Sequence, residues 1–261
     1  MKHVVSCRLM GGLGNYMFQI STAYSLSLRD KKEFICDYSD STVPQKPYHT
    51  YADNIFRKIN FTDKLPSFVS FHEYGTEYNE IPKIDDNVKI FGYFGSEKYF
   101  KNYRNEILDL FEIDEKNKDE LNEKYLDLIN HPNSCSIHVR RGDYLINPDA
   151  HPLCSLDYYN QSMDMLDGEN VMFICSSDDK EWCEQNIKRN NIIFNKSDLA
   201  HDMCLISKCN DHIIANSTFS WWGSWLGSDK NKKIISPSTW FGSRYDHWNT
   251  KDLYCDNFIK L

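Results

Sequence analysis

The sequence has no long apolar run, and no stretch approaches the roughly 20 hydrophobic residues that a membrane-spanning helix needs. It also shows no signal peptide, because the polar residues Ser6 and Arg8 interrupt the apolar start at Val4 and Val5. We therefore expect a cytoplasmic protein without an integral membrane segment. Peripheral association with the inner face of a membrane is left open.

The 9 cysteines form no C-x-x-C pair and are odd in number, which argues against a disulfide framework and against a zinc ribbon. One cluster, at His201, Cys204, Cys209 and His212, does not have the spacing of a zinc finger. We expect buried thiols in a reducing compartment, with no metal site.

Positive charge is scarce, since 30 lysines and arginines stand against 38 aspartates and glutamates, for a formal net charge of −8. This balance argues against broad binding of nucleic acid, which needs a basic surface. Any anion that the protein binds must be held by a local positive pocket. The 41% of hydrophobic and 14% of aromatic residues are sufficient for a substantial core.

Strand-like segments alternate with helical segments along the chain, which predicts an α/β fold with mostly parallel sheets. Two such runs flank a charged helical stretch at residues 103–130. We predict an N-terminal α/β domain at residues 1–130 and a C-terminal α/β domain at residues 131–261. The polar stretch 37–51, with its two prolines, is predicted to be a long loop near a cleft.

A glycine-rich loop, from Gly11 to Asn15, lies between the first predicted strand and a predicted helix that starts near Tyr16. Backbone amides at such a helix start can point at an anion or a sugar, and glycine allows a close approach. The loop has neither the Walker pattern nor the G-x-G-x-x-G pattern. The alternative is a tight turn that only packs the helix against the sheet.

The strongest candidate for chemistry is a buried strand that ends in Arg140, Arg141 and Asp143. In open α/β sheets, ligands bind just past the carboxyl ends of the strands. Two adjacent guanidinium groups match the oxygens of a diphosphate, and Asp143 balances only part of their charge. The alternative is a set of structural ion pairs.

Two further predicted strands end in polar clusters. Asp178 and Asp179 could accept hydrogen bonds from a guanine base, or they could simply begin a helix. The hydroxyls and amides of the segment that begins at Ser217 suit phosphate oxygens, or they could only cap a helix. Three clusters at the strand ends of one predicted sheet favour a nucleotide site.

Five segments, taken in order, resemble the motifs of the α-1,2-fucosyltransferases of glycosyltransferase family 11. These motifs span residues 8–227. They are GGLGN with Met17-Phe18-Gln19, GYF-SEKYF at Gly92–Phe100, HVRRGDY at His138–Tyr144, SSDD at Ser176–Asp179 and NSTFSWWGSWLG at Asn216–Gly227.

The resemblance implies a GT-B-like fold of two facing Rossmann-like domains, with the acceptor on the N-terminal side and GDP-fucose bound by the C-terminal domain. It implies an inverting, metal-independent transfer of L-fucose from GDP-β-L-fucose to the 2-hydroxyl of a terminal galactoside, without a cofactor. Two alternatives remain. One is a glycosyltransferase that uses another GDP-sugar, such as GDP-mannose. The other is a nucleotide- or carbohydrate-binding protein without turnover.

The resemblance also implies site residues, position by position. Arg140 and Arg141 match the arginines of the donor diphosphate site, and Asn15, next to Gly14, matches an asparagine that reaches the donor from the opposing domain. The other implied donor-binding residues are Asp178 and Asp179 in the base-reading loop and Ser217, Thr218, Phe219 and Ser220 around the phosphates. The family usually has glutamine where Tyr16 stands, so Tyr16 could change which acceptor is used.

No Asp-x-Asp sequence occurs, although it is the usual cradle for a divalent ion in metal-dependent sugar transfer. Arginines, above all Arg140, and helix amides must then neutralise the leaving group of an oxocarbenium-like transition state. The candidates for the general base are Asp143, His138 and His151. We favour Asp143, whose alternative role is an ion pair that orients the arginines.

Overall fold

The computed structural model describes residues 2–39, 48–113, 115–166, 170–195, 198–227 and 232–261. The chain forms two compact units. Unit 1 comprises Met1–Ile113 and Trp248–Cys255, and unit 2 comprises Asp114–His247 and Asp256–Leu261. Most of the loop predicted at residues 37–51 lies outside the described residues.

In the described ranges, strands and α-helices alternate over residues 115–236 as the sequence pattern predicted, whereas residues 33–91 contain five strands and no α-helix. The strands are β1 Val4–Cys7, β2 Glu33–Phe34, β3 Cys36–Asp37, β4 Phe61–Thr62, β5 Val69–His72, β6 Val88–Phe91, β7 Ser134–Val139, β8 Met172–Ser177, β9 Ile192–Phe194, β10 Asp211–Ile213, β11 Ile234–Ser236 and β12 Phe258–Lys260. The helices are α1 Leu13–Asp30, α2 Arg104–Leu110, α3 Glu115–Ile129, α4 Leu156–Leu166, α5 Lys180–Asn186, α6 Leu199–Lys208 and α7 Thr218–Leu226.

Unit 1 is built on a parallel sheet with the strand order β2-β1-β6-β5, beside a small parallel pair, β3-β4. Strand β1 is buried at all four positions, and the long helix α1 that follows is buried over most of its surface. Burial on both sides is expected for a central strand of a parallel sheet. The carboxyl ends of β1, β5 and β6 therefore lie at one edge of this sheet.

Unit 2 contains a six-stranded sheet with the order β12-β11-β10-β7-β8-β9, in which every neighbouring pair is parallel. Strand β7 is central and fully buried, and its residues Ile137 and Val139 belong to the main core of the unit. The predicted α/β fold with mostly parallel sheets is confirmed. The register pairs Val139 of β7 with Ser177 of β8, so that Arg140 and Asp178 are the next residues of the two strands.

The charged stretch at 103–130 is divided between the two units. Helix α2 ends at Leu110 in unit 1, whereas α3 belongs to unit 2, where Tyr125 donates a hydrogen bond of 2.5 Å to the side chain of Asn195. The division after Ile113 therefore differs from the sequence-based boundary after residue 130. A charged helical pattern does not show where a chain passes from one core to another.

A second difference is that unit 1 is completed by a segment from near the end of the chain. Asp252 is buried, accepts a hydrogen bond of 2.9 Å from the backbone of Tyr78, and forms an ion pair of 2.5 Å with Lys98. Strand β5 was also not predicted, because three of its four residues are exposed and show no alternation.

Unit 1 contains a buried ion pair between its two sheets. The Nζ atom of Lys89 lies 2.7 Å from Oδ2 of Asp37, and both side chains are almost fully buried. The second oxygen of Asp37 accepts a hydrogen bond from the backbone of Ser39, and the pairing with Lys89 helps to lower the pKa of the carboxyl against the opposing effect of burial. Loss of one partner would leave an unpaired buried charge.

We expect Lys89→Met to destabilise unit 1 by about 3–5 kcal/mol, because Asp37 would lose its counter-ion inside the protein. The double variant Asp37→Asn, Lys89→Met should recover a large part of this loss. Urea denaturation followed by circular dichroism measures both effects. Equal stability of the single and double variants would show that the pair is not the source of the effect.

Among the residues that the structure describes, no helix is both long enough and apolar enough to cross a membrane.

Candidate functional site

Two arginines and three aspartates form an ion-pair cluster at the carboxyl edge of the sheet in unit 2. Arg140 lies 2.5 Å from Oδ1 of Asp143 and 2.9 Å from Oδ2 of Asp178. Arg141 lies 2.9 Å from Oδ2 of Asp179 through its Nε atom. The backbone N–H of Arg141 donates to Oδ1 of Asp178 at 2.9 Å. Two of the three sequence-predicted clusters are thus brought together.

Aromatic rings support both guanidinium groups from one side. Arg141 lies 4.0 Å from the ring centre of Trp182, and Arg140 lies 5.4 Å from that of Tyr144. The hydroxyl of Tyr144 is anchored by donation to the backbone oxygen of Asn216 at 2.9 Å. A planar cation stacked on a ring and paired along its edge is held in one orientation, which suits binding of an oxyanion.

Gly142 is required by the close approach of Asp178. A Cβ atom at this position would lie 2.5 Å from Oδ2 of Asp178, the oxygen that pairs with Arg140. The glycine of the R-R-G-D sequence is thus explained by space for a carboxylate.

The cluster holds two positive and three negative formal charges, so the arginines are neutralised without a ligand. Asp179 also begins α5, where its side chain accepts from the backbone of Trp182 at 3.2 Å. For Asp178 and Asp179 the sequence left open a contact with a guanine base and a role at the start of a helix. In this structure Asp179 begins α5, and both carboxylates accept from arginine and backbone groups.

The first turn of α7 adds hydrogen-bond donors to the same unit. Ser217 is the N-cap, and its hydroxyl accepts from the backbone of Phe219 at 3.3 Å. Thr218 and Phe219 are partly exposed, whereas Ser220 is fully buried and donates to the backbone oxygens of Ala215 and Ser217. The hydroxyl of Ser220 thus bonds to the protein backbone and does not face solvent.

His138 is buried between the sheet and α7, where its ring centre lies 5.2 Å from that of Phe219. Burial, with a smaller effect from Arg140, lowers the pKa of His138 to about 3. An imidazole with this pKa is neutral at physiological pH but a weak base, which disfavours His138 as the general base. His151 stacks on Tyr144 at 4.8 Å, and burial lowers its pKa as well.

The glycine-rich loop of unit 1 has a defined conformation. Gly11 has a φ of +84°, and a Cβ atom there would lie 2.2 Å from Nδ2 of Asn15. The side chain of Gln19 fixes the loop by accepting from the backbone of Met10 at 2.9 Å and donating to its oxygen at 3.1 Å. Helix α1 begins at Leu13, so Gly14 and Asn15 belong to its first turn and not to a free loop.

Tyr16 is fully buried in unit 1, with its ring centre 6.4 Å from that of Phe56. The tyrosine that stands where the family usually has glutamine therefore packs in the core of unit 1. An influence of Tyr16 on the acceptor would have to be indirect.

A buried polar network beside the cluster was not predicted. Asn195 follows β9, donates 3.1 Å to the hydroxyl of Ser176 and also donates to Asp202, which lies in the first turn of α6. Burial is the main reason that the pKa of Asp202 is raised to about 7. In the sequence, this network is marked only by Asn195 at the end of a predicted strand, and Asp202 belongs to no recognisable motif.

Within the described ranges, no group of three or more histidine, cysteine, aspartate or glutamate side chains is arranged to hold a metal ion. Metal independence remains a prediction.

A parallel sheet that gathers paired arginines and the start of a helix at its carboxyl edge defines an α/β protein suited to phosphate-containing ligands. The sequence matches the family described as "Glycosyl transferase family 11" over residues 1–261. The chain belongs to this family and is a glycosyltransferase.

Named relatives agree with this assignment. The chain is 33% identical to an α-1,2-colitosyltransferase of Escherichia coli, over 91% of this chain and 92% of the relative. It is 26% identical to the galactoside α-(1,2)-fucosyltransferase 2 of Hylobates lar, over 83% of this chain and 67% of the relative.

A solved structure confirms the fold class. The fucosyltransferase NodZ from Bradyrhizobium superposes with a TM-score of 0.61 at 12% identity, over 87% of this chain and 94% of that chain. At this level of identity the likeness concerns the fold alone, which is GT-B-like.

We expect Gly142→Ala to weaken binding of GDP by about tenfold, because the added methyl group would displace Asp178 and release Arg140 from its orientation. Gly95→Ala is the control, since a Cβ atom there has its nearest neighbour at 3.6 Å. Titration calorimetry with GDP measures both. Unchanged affinity for GDP in Gly142→Ala would show that the position of Asp178 does not affect anion binding.

The raised pKa of Asp202 predicts a dependence of stability on pH. Its folded-state pKa of about 7 lies above the ordinary value near 4, so the stabilising contribution is complete below pH 4 and is lost as the pH rises through 7. Asp202→Asn should therefore gain about 1–4 kcal/mol relative to the parent between pH 5 and pH 8. Urea denaturation across this pH range, with the exposed Asp157→Asn as the control, measures the difference. A parallel pH profile for Asp202→Asn and the parent would contradict the assignment.

Proposed function

We propose that the protein transfers L-fucose from GDP-β-L-fucose to the 2-hydroxyl of a terminal galactoside, with inversion and without a metal ion. The observation that carries the proposal is the cluster of Arg140 and Arg141 beside the first turn of α7, in a chain of this family. Support also comes from the names of the two relatives, which share the α-1,2 linkage, and one of which is a galactoside fucosyltransferase.

The arginines would neutralise the charge that develops on the departing diphosphate. Arg141 uses only its Nε atom in the described ion pairs, so its two Nη groups remain to bind phosphate oxygens. Tyr144, whose ring lies beside Arg140, donates to the backbone oxygen of Asn216 just before α7, so the amides at the start of this helix would add the positive end of a helix dipole near the arginines. Donors that are already oriented stabilise leaving-group charge without reorganisation.

The three aspartates would hold the arginines in place and limit the cost of two adjacent cations in the free enzyme. Both Nη atoms of Arg140 are paired with carboxylates, so a diphosphate that also binds Arg140 would have to displace one of them. Asp143 is the most exposed of the three, with 37% of its side chain accessible. It is therefore the carboxylate best placed to exchange partners.

Asp143 is also our candidate for the general base that removes the proton from the acceptor hydroxyl. The buried His138 is a poorer candidate because its pKa is low. The same carboxylate would pair with Arg140 in the free enzyme and accept the proton in the reacting complex. Asp143→Asn, which keeps the shape of the side chain, separates this role from a purely structural one.

We expect Arg140→Ala to lower kcat/KM for GDP-fucose by about 10²–10³-fold, because a charged donor to the leaving group is lost. Arg140→Lys should recover only part, since a lysine keeps the charge but not the planar fork. Release of GDP in the presence of a galactoside measures turnover, and thermal melting checks the fold. Full activity of a folded Arg140→Ala protein would defeat the assignment of the diphosphate site.

We expect Asp143→Asn to lower kcat by about 10²–10⁴-fold and to leave the KM for the donor unchanged or lower, because the carboxylate that competes with the diphosphate for Arg140 loses its charge. An increase in the donor KM with unchanged kcat would instead show that Asp143 only orients Arg140.

A second candidate donor is the GDP derivative of colitose, because the colitosyltransferase is at 33% identity the more similar of the two named relatives. Colitose is L-fucose without the hydroxyl at C3, so the two donors differ by one polar group. A site that hydrogen-bonds this hydroxyl would reject the deoxy sugar strongly, whereas an apolar site would discriminate weakly. Comparison of kcat/KM for GDP-fucose, GDP-colitose and GDP-mannose, with determination of the product linkage, decides among them.

A further inference from the structure

The G-Y-F motif at Gly92–Phe94 has no role in the site described above. It follows strand β6 in unit 1, and the neighbouring parallel strand β5 is followed by Glu73 and Tyr74. Because β5 and β6 are parallel, these two loops start at the same edge of the sheet. In α/β proteins, this carboxyl edge is where ligands bind.

The side chain of Glu73 fixes the two loops to each other. Its Oε2 atom accepts from the backbone N–H groups of Tyr93 at 2.7 Å and Phe94 at 2.9 Å. Burial raises the pKa of Glu73, and the two backbone bonds oppose this effect. A carboxylate that leaves solvent to bind two amides is a strong local constraint on the backbone.

The backbone of the motif is constrained at the residues on either side of Tyr93. A Cβ atom on Gly92 would lie 2.4 Å from Cβ of Glu73, so only glycine fits. Phe94 has a positive φ of 52° and is fully buried. A non-glycine residue in this region is uncommon and marks a position that the surrounding structure holds in place.

The two tyrosines of these loops face solvent. Tyr93 is 48% exposed and Tyr74 is 74% exposed. The turn that carries Tyr74 is closed by Asn79, whose side-chain amide donates to the backbone oxygens of Tyr74 at 3.0 Å and Glu77 at 3.1 Å. Two large rings are thus presented to solvent by backbones that are already fixed.

We propose that Tyr74 and Tyr93 form a platform that binds the glycan chain of the acceptor. This inference rests on the proposed function and extends it, because it assigns acceptor contacts to residues in unit 1. Aromatic rings match the apolar C–H face of a pyranose, and the phenol hydroxyl can bond to sugar hydroxyls. Tyrosine also loses little conformational entropy on binding, and the fixed backbone reduces that cost further.

A glycan fits this surface better than a protein partner does. Polar groups lie beside the exposed rings, since Asn79 is itself exposed and its side-chain amide bonds to the backbone of the loop that carries Tyr74. A glycosyltransferase must also hold a polar, ring-shaped acceptor in addition to its donor. The platform is therefore expected to favour oligosaccharides over the monosaccharide.

The test compares Tyr93→Ala and Tyr74→Ala with Tyr93→Phe and Tyr74→Phe. We expect each alanine variant to raise the KM for a β-galactosyl disaccharide by about tenfold, the size of a typical aromatic contact, and to leave the KM for the donor unchanged. The phenylalanine variants should stay within about threefold of the parent, because they keep the ring. Met165→Ala, which removes another exposed apolar side chain, on α4 of unit 2, is the control.

Direct binding separates failure of this proposal from failure of the proposed function. Saturation-transfer NMR with the disaccharide and GDP requires no turnover and no knowledge of the donor sugar. We expect transfer to the sugar protons in the parent and a clear loss in Tyr93→Ala. Equal transfer in both proteins, or no transfer in the parent, would overturn the platform. If the parent binds the glycan but does not turn over GDP-fucose, only the choice of donor is overturned.

Discussion

The structure of unit 2 depends on how two adjacent guanidinium groups are kept at the end of a buried strand. Strand β7 lies between β10 and β8, and the parallel register brings the residue after each strand to one edge. Arg140 and Arg141 would repel each other there without counter-ions. The aspartates that follow β8, together with Asp143, supply that charge at distances of 2.5–2.9 Å. Ion pairs as well as packing therefore stabilise this edge of the sheet.

This arrangement changes how an anionic donor can be held. A site of bare arginines would attract a diphosphate strongly but would be costly to maintain in the free protein. Arginines that already have carboxylate partners are cheaper to maintain and are held in fixed orientations by Trp182 and Tyr144. Under the proposed function, a diphosphate that binds Arg140 would replace one of its carboxylate partners, and the exposed Asp143 would be that partner.

Unit 1 uses carboxylates in a different way. Asp37 neutralises a lysine inside the core, and Glu73 binds backbone amides and so connects two loops. Both carboxylates also accept hydrogen bonds from backbone amides near the end of a strand. The result is a sheet edge whose loops have fixed conformations, including the positive φ of Phe94. Fixed loops are the condition under which exposed tyrosines can recognise a sugar without a large entropic cost.

The sequence by itself determined the alternating strands and helices, the parallel sheets and the residues that gather at the edge of unit 2. These follow from local patterns, since a buried strand that ends in charged residues can be recognised within about ten positions. Tertiary structure decided the partners: the pairing of Asp178 and Asp179 with the arginines, the burial of Tyr16 and Ser220, and the network around Asp202. It also decided the return of residues 248–255 to unit 1. Such features depend on contacts between distant positions, and local periodicity and spacing contain no information about which distant side chain will neutralise or cover a given residue.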